Sequence, residues 1–76
     1  MKEETLDARG LICPLPVLKA RKKLMGMAAG DILRVQVTDP ASPADFRLFC
    51  DESGHSIVSI NDAGEGVAEV TLRRGA

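Results

Sequence analysis

Cys13 and the prolines that follow it are the residues of this sequence best suited to chemistry. The segment Cys13-Pro14-Leu15-Pro16 places a thiol directly before two rigid residues. Proline fixes the backbone angle φ and is favoured at the first helical position. A helix that begins at Pro14 would put the Cys13 sulfur near unpaired N–H groups and the positive end of the helix dipole. We therefore expect the pKa of Cys13 to be lowered, giving a nucleophilic thiolate that can take sulfur from a persulfide and later release it.

The second cysteine has different surroundings. Cys50 lies next to Phe49 and one turn after Phe46 in a predicted helix, so we expect it to be part of the core. Two cysteines are too few for a disulfide scaffold, and a structural bridge between them is not expected in a reducing compartment. With one histidine, His55, the chain cannot build a zinc site from Cys and His alone. His55 is expected in a partly exposed loop, and no metal is predicted.

A group of basic residues lies on the helix that Cys13 precedes. On a helical wheel, Lys19, Lys22 and Lys23 are opposite the apolar residues. They are either a solvated helix face or a docking site for an acidic patch of a partner. Arg21 falls within the apolar side, where it either extends to solvent or is held near a functional site. The apolar side is predicted to comprise Val17, Leu18, Ala20, Leu24, Met25 and Ala28.

The overall composition describes a small soluble protein. The 76 residues, with a formal net charge of −1, predict a single domain spanning residues 1–76. Ten basic against eleven acidic residues, and the absence of Tyr and Trp, argue against direct nucleic-acid binding. No apolar stretch approaches the length of a signal-peptide core or a membrane span. We therefore expect a cytoplasmic protein that does not bind membranes and is a monomer.

The order of predicted elements is β-α-β-α-β-β. A short strand at residues 5–8 points Leu6 and Ala8 inward, and the first helix runs from about residue 14 to 25. The next strand covers residues 32–38, and Ser42 is predicted as the cap of a second helix that ends near Gly54. Strands at 56–60 and 67–72 are joined by a hairpin loop at 61–66. A parallel strand-helix-strand unit and an antiparallel final pair give an α/β (α+β) two-layer sandwich: a mixed four-stranded sheet with both helices on one face. The inward residues of the strand at 32–38 are predicted to be Leu33, Val35 and Val37.

The segment around Cys13 also resembles the motif of a known family. Residues 6–16, LDARGLICPLP, are similar to the leucine-aspartate pair, glycine and Cys-Pro-x-Pro motif of the TusA/SirA/YedF family of sulfur carriers. The resemblance covers nearly the whole chain. Similar residues in family members also fall at Arg21-Lys22, Gly30-Asp31, Asp39-Pro40 and Phe49-Cys50.

The resemblance implies a persulfide formed on Cys13, with the carried sulfur as the only attached group and no cofactor. The expected donor is a cysteine desulfurase or a rhodanese-like protein. The expected acceptors serve tRNA thiolation, molybdenum-cofactor assembly or sulfur oxidation. The family motif further implies that four residues shape the site and that Arg9 contributes a nearby charge; the four are Asp7, Gly10, Pro14 and Pro16.

The chain departs from the tRNA-thiolation members at two positions. Those members have Arg and Glu where this chain has Ile12 and Leu15. Two aliphatic side chains beside the thiol should weaken polar contacts with a partner at that point. The cysteine and both prolines are kept, so sulfur transfer itself is still expected.

Two other classes of function remain open from the sequence. The same order of elements resembles a domain of a bacterial translation initiation factor, so an RNA-binding module is one alternative. A thiol-based regulatory protein with a switch between Cys13 and Cys50 is the other, although a core position for Cys50 would make that bridge hard to reach.

Overall fold

The computed structural model describes residues 2–75, which form one four-stranded sheet and two helices. The strand order is β1-β2-β4-β3; β1 is parallel to β2, and the other neighbouring pairs are antiparallel. This architecture confirms the predicted mixed sheet and the predicted order of elements. The elements are β1 (Glu3–Ala8), α1 (Leu15–Met25), β2 (Ile32–Val37), α2 (Ser42–Ser53), β3 (Ser56–Gly64) and β4 (Val67–Arg73).

The core lies between the helices and one face of the sheet. Side chains alternate along a strand, so β2 places Leu33, Val35 and Val37 on the buried face, as predicted. Val35 pairs with Val70 of β4, and α2 adds Phe46, which is fully buried. The opposite face of the sheet is polar, with residues such as Arg34, Gln36, Glu69 and Thr71.

The predicted buried side of α1 is partly wrong. Pro16, Ala20 and Leu24 are the buried residues of this helix, whereas Leu18 and Met25 are 51% and 74% exposed. A helix turns by about 100° per residue, so residues spaced by four form a narrow stripe. Leu18 lies on the far side of that stripe. The core covers this stripe and part of Val17 beside it, and hydrophobicity alone did not reveal the width of the buried side.

The start of α2 also differs from the prediction. The residue before the helix is Ala41, and Ser42 occupies the first helical position without forming a side-chain cap. The Asp39 carboxylate accepts a hydrogen bond from the Ala41 amide (3.0 Å). Asp39 thus supplies the side-chain acceptor at the start of this helix that was expected from Ser42. The Ser42 hydroxyl is buried without a hydrogen-bond partner. The predicted end of the helix is confirmed, since Gly54 has the left-handed φ of 83° typical of a helix C-cap.

The final hairpin is tighter than predicted. β3 continues through Gly64, and a two-residue turn at Glu65-Gly66 replaces the predicted loop at 61–66. Both turn residues have positive φ, 55° and 77°, as in a type I′ turn. Register shifts between Ile57 and Ser59 and between Asp62 and Gly64 absorb the extra residues in β3.

Candidate functional site

Cys13 lies in the loop between β1 and α1, and it is exposed. α1 begins at Leu15 rather than Pro14, so Cys13 is one residue further from the helix than predicted. The peptide bond between Cys13 and Pro14 is cis. The Cys13 amide donates a hydrogen bond to Asp39 Oδ2 (2.7 Å), which fixes the backbone of the cysteine to the segment after β2.

A second hydrogen bond connects the same two loops. The Gly10 amide donates to Thr38 Oγ1 (2.9 Å), and Gly10 has a φ of +79°, a conformation that L side chains rarely adopt. Because β1 and β2 are parallel, their carboxyl ends lie at the same edge of the sheet, and the loops that follow them meet there. This topology brings Cys13 to residues that are distant in the sequence.

The expected set of free helix amides is largely missing. Of the first four positions of α1, Leu15 donates its amide hydrogen to the Ile12 carbonyl (2.9 Å) and Leu18 donates to the Pro14 carbonyl (3.1 Å). Pro16 has no N–H. Among residues 2–75, only the Val17 amide of this turn is left without a backbone acceptor. Backbone carbonyls therefore occupy two of the donors that were expected to stabilise an anionic sulfur, and Pro16 removes a third.

The predicted lowering of the Cys13 pKa is wrong for this conformation. The pKa of the thiol is raised, because the Asp45 carboxylate acts as a hydrogen-bond acceptor for the protonated sulfur. Partial burial and the negative charges of Asp45 and Asp39 raise the pKa further. Two acidic side chains near the sulfur thus disfavour its anionic form.

A groove between α1 and α2 opens beside the cysteine. Its volume is about 240 Å³, and its base is largely apolar. Large hydrophobic side chains nearby are solvent-exposed, notably Ile12 at 69% and Leu48 at 60%. Exposed apolar side chains around a reactive group are typical of a surface that binds another protein. The residues lining the groove are Cys13, Pro14, Val17, Asp45, Leu48, Phe49 and Glu52.

Asp7 and Arg9 form an ion pair at the end of β1. Arg9 Nε lies 2.9 Å from Asp7 Oδ1, and the Arg9 amide donates to the same oxygen (3.0 Å). The Arg9 side chain lowers the pKa of Asp7 to about 2. The charges that act on the Cys13 thiol are those of Asp45 and Asp39 rather than Arg9. The pair therefore shapes the loop that leads to Cys13.

The four basic residues of α1 do not form one surface. Lys19, Lys22 and Lys23 line a groove of about 470 Å³ together with Glu4 of β1, and Lys23 Nζ lies 2.8 Å from Glu4 Oε1.

Arg21 faces a different groove, which it lines with Phe49, Glu52 and Ser53. It is exposed, and it borders the groove of Cys13 from the side of Phe49 and Glu52. The structure thus places Arg21 apart from the three lysines, on the side of α1 that faces Phe49 and Glu52.

Cys50 and His55 lie away from the site. Cys50 is buried in the core, as predicted, and desolvation raises its pKa. His55 Nδ1 accepts a hydrogen bond from the Gly75 amide (2.9 Å), and its ring packs against Phe49. Burial lowers the pKa of His55. Both residues contribute to structure at these positions.

Sequence reasoning missed Asp39, Asp45 and Thr38 as parts of the site. In the sequence, Asp39 is singled out only among the positions that resemble the family, and no role is assigned to Asp45. One signal in the sequence was available: a parallel β1–β2 pair requires the segment after β2 to lie beside the Cys13 loop. That signal identifies the neighbouring segment, although it does not specify which side chain faces the sulfur.

The described residues contain neither a metal-binding cluster nor a membrane-spanning helix. Residues 2–75 contain no group of three or more His, Cys, Asp or Glu side chains arranged to hold a metal ion. Within the same residues, neither helix has the length and apolar character needed to cross a membrane.

The fold and site together define a small α+β domain that presents one accessible cysteine between a strand and a helix. A family model described as sulfurtransferase TusA matches residues 4–74. The chain belongs to this TusA/SirA family of sulfur carriers.

Individual relatives agree with that assignment. A putative sulfur carrier protein of Neisseria meningitidis serogroup A is 47% identical over 72 residues, covering 95% of this chain and 93% of the relative. The sulfur carrier protein TusA of Allochromatium vinosum is 42% identical over 62 residues, 82% of each chain. The crystal structure of a SirA-like protein from Desulfitobacterium hafniense superimposes with a TM-score of 0.84 at 31% identity, covering 96% of this chain and 99% of that one.

Proposed function

We propose that this sulfur carrier accepts sulfur as a persulfide on Cys13 and passes it to the thiol of an acceptor protein. The observation that carries the proposal is the contrast between the two cysteines: Cys13 is exposed on a loop, whereas Cys50 is buried in the core. A group that exchanges sulfur with other proteins must be reachable by their thiols.

The proposed loading step is a thiol–persulfide exchange. The Cys13 thiolate attacks the outer sulfur of a donor persulfide, and a bond forms between that sulfur and Cys13 Sγ. The sulfur–sulfur bond of the donor breaks, and the donor cysteine leaves as a thiolate. In the onward step, an acceptor thiolate attacks the outer sulfur of the Cys13 persulfide, and Cys13 is the leaving group. No electron carrier is needed, because each step exchanges one sulfur–sulfur bond for another.

The proposed donor is a cysteine desulfurase or a rhodanese-like protein, and the cargo is covalent sulfur without a resident cofactor. The acceptor is proposed to serve tRNA thiolation, molybdenum-cofactor assembly or sulfur oxidation. A reducing cytoplasm suits this chemistry, since it keeps a lone exposed thiol available. The exposed Ile12 and Leu48 beside the sulfur support a partner with an apolar contact surface.

The test is to incubate the protein with a cysteine desulfurase and cysteine and to weigh the intact chain. The wild type and the matched control Cys50→Ala are expected to gain the mass of one sulfur atom, and a reductant should remove it. Cys13→Ser should gain none. Equal loading of Cys13→Ser and the wild type, with loss of loading in Cys50→Ala, would show that the sulfur is carried elsewhere.

A further inference from the structure

The groove beside Cys13 carries unpaired negative charge. Asp45 lines it, and its Oδ2 atom is buried without a hydrogen-bond partner. Glu52 lines the same groove from α2, and Asp39 approaches the cysteine from the loop after β2. The side that α1 contributes is uncharged, and Arg21 lies in the neighbouring groove. A buried carboxylate oxygen without a partner is costly, so the groove favours a cation from outside.

The same carboxylate disfavours the reactive form of the cysteine. Asp45 and Asp39 raise the pKa of the Cys13 thiol, so less thiolate is available in the free protein at neutral pH. A sulfur whose thiol has a high pKa is also a poorer leaving group. In the free carrier, both the uptake of sulfur and its premature loss to small thiols are therefore slowed.

We propose that Asp45, which lines the groove of Cys13 with a buried carboxylate oxygen that has no partner, is a recognition element for the sulfur donor, and that the donor activates Cys13 by placing a lysine or arginine side chain against Asp45 on docking. This inference rests on the proposed function, and it adds a positioning residue and a recognition element to it. The partner surface is apolar around a single cation, which matches the exposed Leu48 that lines the acidic groove and the exposed Ile12 next to Cys13 in the chain. Complementary charges of this kind set the specificity of docking as well as its rate.

Docking of the donor converts the Cys13 thiol into the attacking thiolate. The incoming cation pairs with Asp45, and the Cys13 thiol releases its proton to solvent. The resulting thiolate attacks the outer sulfur of the donor persulfide, and the donor cysteine leaves as a thiolate. After the partner departs, Asp45 faces the loaded cysteine without a cationic partner.

The first test measures the free carrier with a small electrophile. The rate of Cys13 alkylation by iodoacetamide is measured against pH in two proteins: the Cys50→Ala chain, which retains Asp45, and the same chain with Asp45→Asn. The inflection of the pH profile is expected to move to lower pH in Asp45→Asn. The rate below the inflection should rise about threefold for each pH unit moved, because a larger thiolate fraction is partly offset by weaker nucleophilicity. The matched control is Asp51→Asn, an exposed carboxylate on the same helix outside the groove, and it should leave the profile unchanged.

The second test measures loading by a cysteine desulfurase. Asp45→Asn is expected to raise the donor concentration needed for half-maximal loading about two- to fivefold, the usual worth of a solvent-accessible ion pair. Loading at saturating donor should not fall. Asp51→Asn should behave as the wild type in this assay as well. A residue that only stabilised the fold would not speed alkylation and weaken docking at the same time.

An unchanged alkylation profile in Asp45→Asn, or one moved to higher pH, would overturn the role of Asp45. An unchanged half-saturating donor concentration would overturn the proposed cation. If the wild type gained no sulfur on Cys13 at all, the proposed function would fail, and the alkylation result would still stand.

A further comparison covers the case in which Asp45→Asn does not fold. The Cys50→Ala chain is then alkylated both folded and in urea. The inflection should lie at higher pH in the folded chain, and equal inflections would overturn the proposal.

Discussion

Asp39 is the side chain that holds the cysteine loop against the rest of the site. One carboxylate oxygen accepts the Cys13 amide at 2.7 Å, and the other accepts the Ala41 amide at 3.0 Å. The amides of Ala41 and Cys13 lower the pKa of Asp39. A single carboxylate therefore both organises the start of α2 and sets the position of the proposed sulfur-carrying residue.

We predict that Asp39→Ala loosens the Cys13 loop. Amide hydrogen exchange at Cys13 should accelerate and the melting temperature should fall, because two backbone donors lose their acceptor. The Asp39 pKa is lowered in the fold, so its contribution is present above the pKa of the unfolded chain and is lost as pH falls through the folded value. The melting difference from the wild type should therefore shrink in acid. Exchange-detected mass spectrometry and thermal melts against pH measure both effects.

Asp62→Ala is the matched control for this prediction. Asp62 Oδ1 accepts the Gly64 amide (2.8 Å) in a similar local turn, but it lies in β3. Its removal should leave exchange at Cys13 unchanged. Equal exchange at Cys13 in Asp39→Ala and the wild type would contradict the anchoring role.

The sequence predicted that Cys13 lies on a loop at the boundary of a helix, which the structure confirms, but it did not predict the direction of its pKa shift. Cys13 was identified because its neighbours are two prolines and a helix start. The shift of its pKa depends on Asp39 and Asp45, which are distant in the chain. Local motifs describe the backbone around a residue, whereas its electrostatics depend on what the fold places against it.

Among the elements, the β3–β4 hairpin shows how local sequence can mislead. Asn61, Asp62 and Gly64 are typical loop residues, yet they belong to β3. The pairing of β3 with β4 and the register shifts in β3 extend the strand to Gly64, so tertiary pairing outweighs local preference. The turn that remains places Glu65 at a φ of 55°, a conformation that is unfavourable for most L residues.

We predict that Glu65→Asn stabilises the protein by about 0.5–1 kcal/mol, because asparagine tolerates positive φ in a type I′ turn better than glutamate does. Urea denaturation should show a higher midpoint with an unchanged slope. Glu65→Ala is the control, since it removes the same carboxylate but keeps the unfavourable conformation. A gain of equal size in both variants would assign the effect to charge rather than to backbone conformation.

For the whole molecule, stability depends on one small core shared by the sheet and both helices. The cluster includes Phe46 of α2, Leu24 of α1 and Val35 of β2. A chain of this length is expected to have a free energy of unfolding of roughly 4–11 kcal/mol. The burial of each large core side chain therefore contributes a considerable fraction of the free energy of unfolding.

We predict that Phe46→Ala costs about 3–5 kcal/mol and leaves the protein marginally folded or unfolded. Phe46 is fully buried, so truncating its side chain leaves a cavity in the core. Circular dichroism and urea denaturation measure the loss.

Leu48→Ala on the same helix is the matched control, because Leu48 is 60% exposed and should change stability by less than about 0.5 kcal/mol. A comparable loss in both variants would contradict the position of the core.

The architecture was predictable from the sequence because the strongest patterns agree with one another. The alternation of Leu33, Val35 and Val37 defines a half-buried central strand, and the order of elements leaves few topologies. The buried side of α1 was not predictable to the same degree. Leu18, Leu24 and Met25 are all hydrophobic, and the packing of α1 against the sheet determines that only Leu24 of the three is buried.

Burial of Cys50 bears on how long a carried sulfur would survive. A persulfide is discharged when a second thiol attacks its inner sulfur, which forms a disulfide and liberates hydrogen sulfide. Cys50 is the second thiol of this chain, and it is enclosed in the core at 4% exposure. Because Cys50 is buried, it is not available as a resolving thiol in the folded chain, and a persulfide on Cys13 would be discharged by a reductant or an acceptor that comes from outside.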